Sequence, residues 1–275
     1  MKIINLIEDT EGNKDCLCEH GLSFYIEAGN HKILADTGAS DKFLENADSL
    51  GVDLTAVDVC FISHGHYDHA GGLLSFAHLN SRAQIYISRL AARDYYSVAK
   101  GKTRYIGIDK CIAGLSNLHP VAGSLHIDDT LEIFSGVSGS RLQPAGNRIM
   151  FRKSGDDIIR DNFDHEQYLI ISEKGRKVLI SGCAHNGIVN ILEEYRRRYG
   201  AAPDAVISGF HMFRRSGKYT EEDMENVTET ARELMKYKST EFFTCHCTGR
   251  EPYSVLKEMM GSQLNYVHSG SRVLL

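Results

Sequence analysis

The sequence predicts an α/β protein, and three observations carry that expectation. Short apolar, β-rich segments such as residues 57–62 run into glycine-bearing loops, as buried strands do. Residues 24–27 and 32–35 flank Gly29-Asn30, the pattern of a hairpin. Farther on, Ile188, Ile191, Leu192, Tyr195 and Tyr199 recur at the spacing that gathers them on one helical face, directly after a strand. A chain of 275 residues can make one large α/β domain or two small ones, and can bury a sizeable core.

Composition narrows the function classes. Hydrophobic residues at 42% and charged residues at 24% match a soluble globular protein. A net charge of −5, with no long basic run, disfavours nucleic acid as the main partner. The apolar run at residues 3–7 is too short for a signal peptide, and no segment approaches membrane-spanning length. Seven cysteines are an odd number and too sparse for a secreted disulfide scaffold. A cytoplasmic protein without a membrane partner is expected.

Taken in order, residues 3–7 open the chain as a strand and the hairpin follows. Between them stand Cys16, Cys18 and His20. No second pair nearby closes a tetrahedral metal site, so a loop folded over the mouth of the site is expected there. Ser40 is placed to cap a helix with Phe43, Leu44, Ala47 and Leu50 on one face, ending at Gly51. Residues 73–79 suggest a short helix and 84–88 a strand. From about 89 to 162 the periodicity weakens into a basic, aromatic stretch, a strand-like segment at 131–134 and a Gly/Ser-rich stretch. This region is expected to be an elaboration covering the active site, because no clear linker borders it. Arg104, Arg141 and Arg148 within it are candidates for gripping an anionic group. A second hairpin turns at Lys174-Gly175, Asn186 is placed to cap the helix over 188–199, and residues 205–208 read as a strand. Thr220 with Asp223 forms a capping-box start for the next helix. A strand at 241–244, a helix over 253–260 and strands near 264–267 and 272–275 complete the chain.

The chemistry concentrates in Ser63-His64-Gly65-His66-Tyr67-Asp68-His69-Ala70-Gly71-Gly72, on the loop that leaves strand 57–62. His64 and His66 on a tight loop can aim two imidazoles at one cation. Asp68 and His69 can serve a second cation close by, since carboxylate oxygen and imidazole nitrogen both suit zinc, manganese or iron. With 13 histidines in the whole chain, three of them and an aspartate in six positions is a poor match to a random surface run. Further candidates also follow strand ends: Cys183 and His185, His211, and His246 between Cys245 and Cys247. His119 and His126 lack ligand neighbours and are set aside. Gly-x-Ser-x-Gly is not found, so no serine nucleophile elbow competes.

The motif His64-x-His66-x-Asp68-His69 resembles the signature of the metallo-β-lactamase fold superfamily. Ala35-Asp36-Thr37-Gly38, Ser181-Gly182-Cys183-Ala184-His185 and Cys245-His246-Cys247-Thr248-Gly249 extend the resemblance over nearly the whole chain. Together they look most like its dihydropterin-aminobenzene-phosphate synthase-like metallo-hydrolase branch. The resemblance implies a four-layer αββα sandwich, a single domain over residues 1–275, and a centre of one or two divalent ions. Zinc comes first, with manganese or iron as alternatives. The implied ligands are His64, His66, Asp68, His69, His185 and His246, with Asp36 orienting the loop from behind. His165, with Glu166 beside it, lies where many members place another ligand. Where many members carry a bridging aspartate this chain has Cys183, either an adjacent ligand or a small packed residue. Asp68 is expected both to bind metal and to accept a proton, and His211 to shuttle a proton or touch substrate.

The expected function is therefore hydrolysis of an ester-type or phosphoester-type small molecule, with an anionic substrate favoured, by a metal-activated water. Two alternatives stay open. One is a synthase condensing a pterin diphosphate with a ribosyl-aminobenzene phosphate; the other is a non-catalytic metal-binding sensor.

Overall fold

The computed structural model describes residues 1–214 and 216–275. Two seven-stranded sheets form its centre. The first runs, edge to edge, Arg272–Leu274, Lys2–Ile7, Ser23–Ala28, His31–Ala35, Val59–Ile62, Gln84–Ser88 and Leu118–Val121. The second runs Leu264–Tyr266, Glu241–Thr244, Ala205–Ser208, Arg176–Ile180, Gln167–Glu173, Leu131–Ser135 and Leu125–His126. Each sheet begins antiparallel in chain order and turns parallel: Ile33 pairs with Val59 and Val59 with Gln84 in the first, Val178 with Ala205 and Ala205 with Glu241 in the second.

Strand periodicity explains the layering. Val59 and Phe61 point into the core between the sheets, while Cys60 and Ile62 face the other way, toward Phe43, Leu73 and Phe76 of the helices Lys42–Ser49 and Leu73–Leu79. In the second sheet Val178 and Ile180 share the inter-sheet core, and Leu179 faces the helices Ile188–Tyr199, Glu221–Leu234 and Arg250–Met260. Because both faces of these strands are covered, they read as continuous apolar runs rather than alternating ones. The result is helix, sheet, sheet, helix: the four-layer αββα sandwich.

Several local expectations resolve differently. The helix at Lys42–Ser49 has Asp41 at its N-cap without a side-chain bond; the Ser40 hydroxyl donates instead to Glu19 Oε2 at 2.6 Å. Gly187, not Asn186, caps Ile188–Tyr199, because the Asn186 amide is spent on Glu166. The capping box at Thr220 and Asp223 is formed. The stretch about 89–162 is of two kinds. Leu118–Val121, Leu125–His126 and Leu131–Ser135 are strands of the two large sheets, whereas Tyr95–Ala99, Lys102–Tyr105, Met150–Ser154 and Asp157–Arg160 make a separate four-stranded sheet.

His31 is among the polar ties that link the sandwich halves. His31, at the start of a first-sheet strand, bonds Asp58 at 2.5 Å through Nδ1 and Asp128, in the loop before Leu131, at 2.8 Å through Nε2. Burial opposes charge on the ring, but the two carboxylates outweigh it and raise its pKa above the usual histidine value. The stabilisation is therefore complete below the unfolded value near about 6.5 and is lost as pH rises through the higher folded value. His31→Gln should cost roughly 1 kcal/mol near pH ~6 and less near pH ~9, read from urea midpoints at both values. An equal cost at both would remove the charge from the account.

Candidate metal centre

The parallel strands of both sheets deliver their C-terminal ends to one rim, and the candidate residues lie there. Val59–Ile62 ends in the loop bearing His64 and His66, and Asp68 and His69 follow on the single turn Tyr67–Ala70. Arg176–Ile180 is followed by Cys183 and His185, Ala205–Ser208 by His211, and Glu241–Thr244 by His246. Asp36, Ala184, His211 and His246 all adopt left-handed backbone, with φ of 59°, 53°, 49° and 47°. Non-glycine residues held there are a sign of local strain and gather at functional sites.

Six predicted ligands come together. The rings of His64, His66 and His185 form a triangle with centroid separations of 4.6, 4.9 and 4.9 Å. Beside it, His69 and His246 are 5.1 Å apart, and Asp68 Oδ2 is 3.6 Å from His246 Nε2. Cys183 Sγ belongs to both groups: one set of donors within 4.8 Å of one another joins it to His64 and His185, another to His69 and His246. The position between the two groups is thus held by a thiol.

Hydrogen bonding fixes which nitrogen each ring offers. Ser63 Oγ donates to Asp36 Oδ2 at 2.7 Å, so the Nδ1–H of His64 donates to that hydroxyl at 2.9 Å and its Nε2 carries the lone pair. His69 Nδ1 donates to Asp36 Oδ2 at 2.6 Å, His185 Nδ1 to Asn147 Oδ1 at 3.1 Å, and His246 Nδ1 to Asp9 Oδ1 at 2.5 Å. Each leaves Nε2 aimed at the cluster. The Nε2 atoms of His64, His66, His185 and His246 are buried without a partner, while His69 Nε2 meets Cys183 Sγ at 3.1 Å. Buried ring nitrogens without partners are costly unless something electropositive meets them. This donor set fits one or two divalent cations, with imidazole, carboxylate and thiol together suited to zinc.

The electrostatics agree. Burial pushes His64 and His185 well below the usual histidine range and His66 down to about 3, each helped by neighbouring rings, so these three offer neutral lone pairs. Burial also opposes charge on His246, but Asp9 and Asp68 outweigh it and raise its pKa well above normal. Asp68 is the mirror case: burial raises it, and His246, His69 and His20 more than compensate, leaving it ionised. This side of the cluster calls for positive charge.

Other predicted residues take supporting places. His165 does not present a free nitrogen: its Nδ1 accepts from the Gly65 N–H at 2.9 Å and its Nε2 bonds Asp161 at 3.1 Å. It holds the histidine loop. Glu166 Oε1 accepts from the His185 N–H at 2.7 Å, and its Oε2 accepts from the Asn186 N–H at 2.9 Å and from Tyr168 at 2.6 Å. Asp36 accepts from the Ser63 N–H at 2.7 Å as well as from the Ser63 hydroxyl and His69. The His211 ring lies 4.1 Å from the His185 ring, with both its nitrogens buried and neither bonded. Cys245 is buried in the inter-sheet core, Cys16 and Cys18 are not within the cluster, and Cys247 Sγ lies within 4.8 Å of Cys183 and His211 donors.

Sequence reasoning gave no role to Glu8, Asp9 or Asn147, and placed His20 only on a covering loop. Glu8 Oε2 accepts from the His246 N–H at 2.8 Å and from Tyr266 at 3.0 Å, the counterpart of Glu166 with Tyr168. Asp9 grips both His246 and His20, the latter at 2.8 Å, and His20 Nε2 reaches to 3.4 Å from Asp68. The available signal was Glu8-Asp9 immediately after a strand, the place Asp36 occupies after another. Above the cluster opens a cavity of about 410 Å³, with His20, Asp68, His185 and His211 on its floor and Lys100, Arg104 and Phe213 among its walls. Of the arginine candidates, Arg141 is tied to Glu193 and Glu233 and Arg148 to Glu222; only Arg104 lines this cavity.

A family model described as the metallo-beta-lactamase superfamily matches residues 17–246. A protein of Methanocaldococcus jannaschii named 7,8-dihydropterin-6-methyl-4-(beta-D-ribofuranosyl)-aminobenzene-5'-phosphate synthase is 27% identical, over 98% of this chain and 95% of its own length. An uncharacterized protein of the same organism is 28% identical over 98% of each chain. A crystal structure of a metal-dependent hydrolase of the beta-lactamase superfamily superposes with a TM-score of 0.83 at 28% identity, covering 100% of this chain and 99% of its own.

Replacing Asp36 with Asn would set an amide against the Ser63 and His69 donors. The variant should fold, with unchanged circular dichroism, yet bind zinc about 10–100-fold more weakly in competition with a chelator. Undiminished affinity would show that the carboxylate does not orient the loop.

Proposed function

The chain belongs to the metallo-beta-lactamase superfamily, and from that membership we propose that it is a metal-dependent hydrolase of an ester-type or phosphoester-type small molecule. The observation that carries the reading is the set of buried, partnerless Nε2 atoms on His64, His66, His185 and His246 beneath an open cavity. Divalent cations bound there would supply an acidified water and polarise a substrate oxygen.

The residues then divide the work. His64, His66 and His185 would hold one ion, and Asp68, His69 and His246 a second, with Cys183 adjoining both groups. Asp68, kept ionised by the surrounding imidazoles, lines the cavity and is the carboxylate there that can accept a proton. His211, unbonded at both ring nitrogens and 4.1 Å from His185, lines the cavity and can hold a proton for a leaving group. Glu8, Glu166, Asp36 and Asp9 keep the donors in place, so little reorganisation is needed when the ion binds.

A second reading is supported by the named Methanocaldococcus relative, aligned over almost the full length of both chains. In it the same centre would assist departure of diphosphate from a pterin diphosphate while an aminobenzene ribosyl phosphate attacks. The two readings share the metal and differ in the acceptor, water against an aromatic nucleophile.

Purified protein should carry one to two divalent ions per chain, an estimate of about one per donor group. His64→Ala, His66→Ala and Asp68→Ala should each lose metal and lower turnover of a phosphodiester, lactone or thioester panel by at least about 100-fold. His211→Ala should keep its metal and lose about 10²–10⁴-fold in kcat. Diphosphate release only with both pterin and aminobenzene substrates present would favour the synthase; full activity in all three ligand variants would sink both readings.

A further inference from the structure

The cavity wall farthest along the chain from the ligand loops carries positive charge without an answering carboxylate. Lys100 sits in the turn and Arg104 in the second strand of the hairpin Tyr95–Ala99 and Lys102–Tyr105, and both line the cavity. The Arg104 guanidinium carbon lies 5.0 Å from the centre of the Tyr67 ring, the residue between His66 and Asp68. A guanidinium stacked on an aromatic face keeps its N–H edges free and pre-set for a bidentate oxyanion. Lys100 holds a left-handed turn conformation, φ 50°, next to Gly101.

The third cation among the described residues lining the cavity is spoken for. Arg214, also on the wall, pairs with Asp223 at 2.6 Å; Arg93 pairs with Asp164 and Lys110 with Asp94. Among the described residues neither Lys100 nor Arg104 has an ion-pair partner, and the one carboxylate lining the cavity, Asp68, is committed to the centre. The cavity lining also includes the apolar side chains of Ile106, Ile149, Met150 and Phe213. Low-dielectric walls focus the field of such charges on whatever enters.

We propose that Lys100 and Arg104 form an anion subsite, so that the cavity takes a two-ended small molecule. Its reacting group lies at the metal centre, its apolar or aromatic body along Ile149, Met150 and Phe213, and its phosphate or carboxylate tail on Lys100 and Arg104. This rests on the metal-dependent reading above and adds the substrate's charge and shape.

The test uses zinc-loaded protein and three benzohydroxamate probes, whose hydroxamate head chelates zinc: para-methyl, para-carboxy and para-phosphono. Calorimetry should show the anionic probes binding at least about tenfold tighter than the methyl probe. The double variant K100Q/R104Q should lose that preference while keeping its zinc and its affinity for the methyl probe, which also certifies the fold. A phosphono probe tighter than the carboxy probe assigns the tail as phosphate, and the reverse order as carboxylate. Equal affinity for all three probes in the unaltered protein would overturn the subsite and leave the metal-dependent reading standing. A preference that survives in the double variant would overturn the assignment to these two residues. Failure of every probe to bind zinc-loaded protein, or failure to load zinc, would overturn both.

Discussion

Everything at the rim depends on buried carboxylates that accept main-chain N–H groups from the loops carrying the candidate ligands. Asp36 takes the Ser63 N–H, Glu166 the His185 N–H and Glu8 the His246 N–H. All three acids are almost wholly removed from solvent. A carboxylate in such surroundings is tolerable only when its oxygens are fully engaged, and removing a partner from one is far costlier than losing an exposed bond. Their spacing along the chain matters as much as their burial: Glu8 meets His246 across 238 positions. The donors therefore take their places only when both sheets have formed and packed, which ties the geometry of the centre to global folding.

Strain and charge follow from that arrangement. Asp36, Ala184, His211 and His246 are held in left-handed backbone at strand ends, a cost the surrounding bonds must offset. The two donor groups are also electrically unlike. Burial keeps His64, His66 and His185 neutral, whereas Asp9 and Asp68 draw positive charge toward His246. Two ions at such positions would differ in affinity and in Lewis acidity, with the Cys183 sulfur between them.

The fold was legible because its strongest signals are local. Apolar runs bounded by glycine gave the buried strands, the 3.6-residue period gave the helix over Ile188–Tyr199, and six donors at strand ends gave the centre. What sequence reasoning could not reach is long-range partnership. Nothing near Glu8 or Asn147 points to His246 or His185, because the bonds join segments that meet only in three dimensions. The two roles open to His165, ligand or support, could not be separated in the sequence, because its partners Gly65 and Asp161 meet it only through the fold. The mixed character of residues 89–162 was hidden by weak periodicity, since Lys102–Tyr105 and Asp157–Arg160 are exposed strands with little apolar pattern to betray them. The arginines there could not be ranked until ion pairing separated Arg104 from Arg141 and Arg148.

The four-stranded sheet pairs with neither large sheet, and it carries Lys100 and Arg104 on a hairpin of its own. It is nonetheless anchored to the histidine loop, since the buried Tyr95 ring lies 4.0 Å from that of His165 and 5.7 Å from that of His66, while Lys102–Tyr105 stays exposed. A displacement of this appendage would therefore be felt by the imidazoles it leans on before it reached either large sheet.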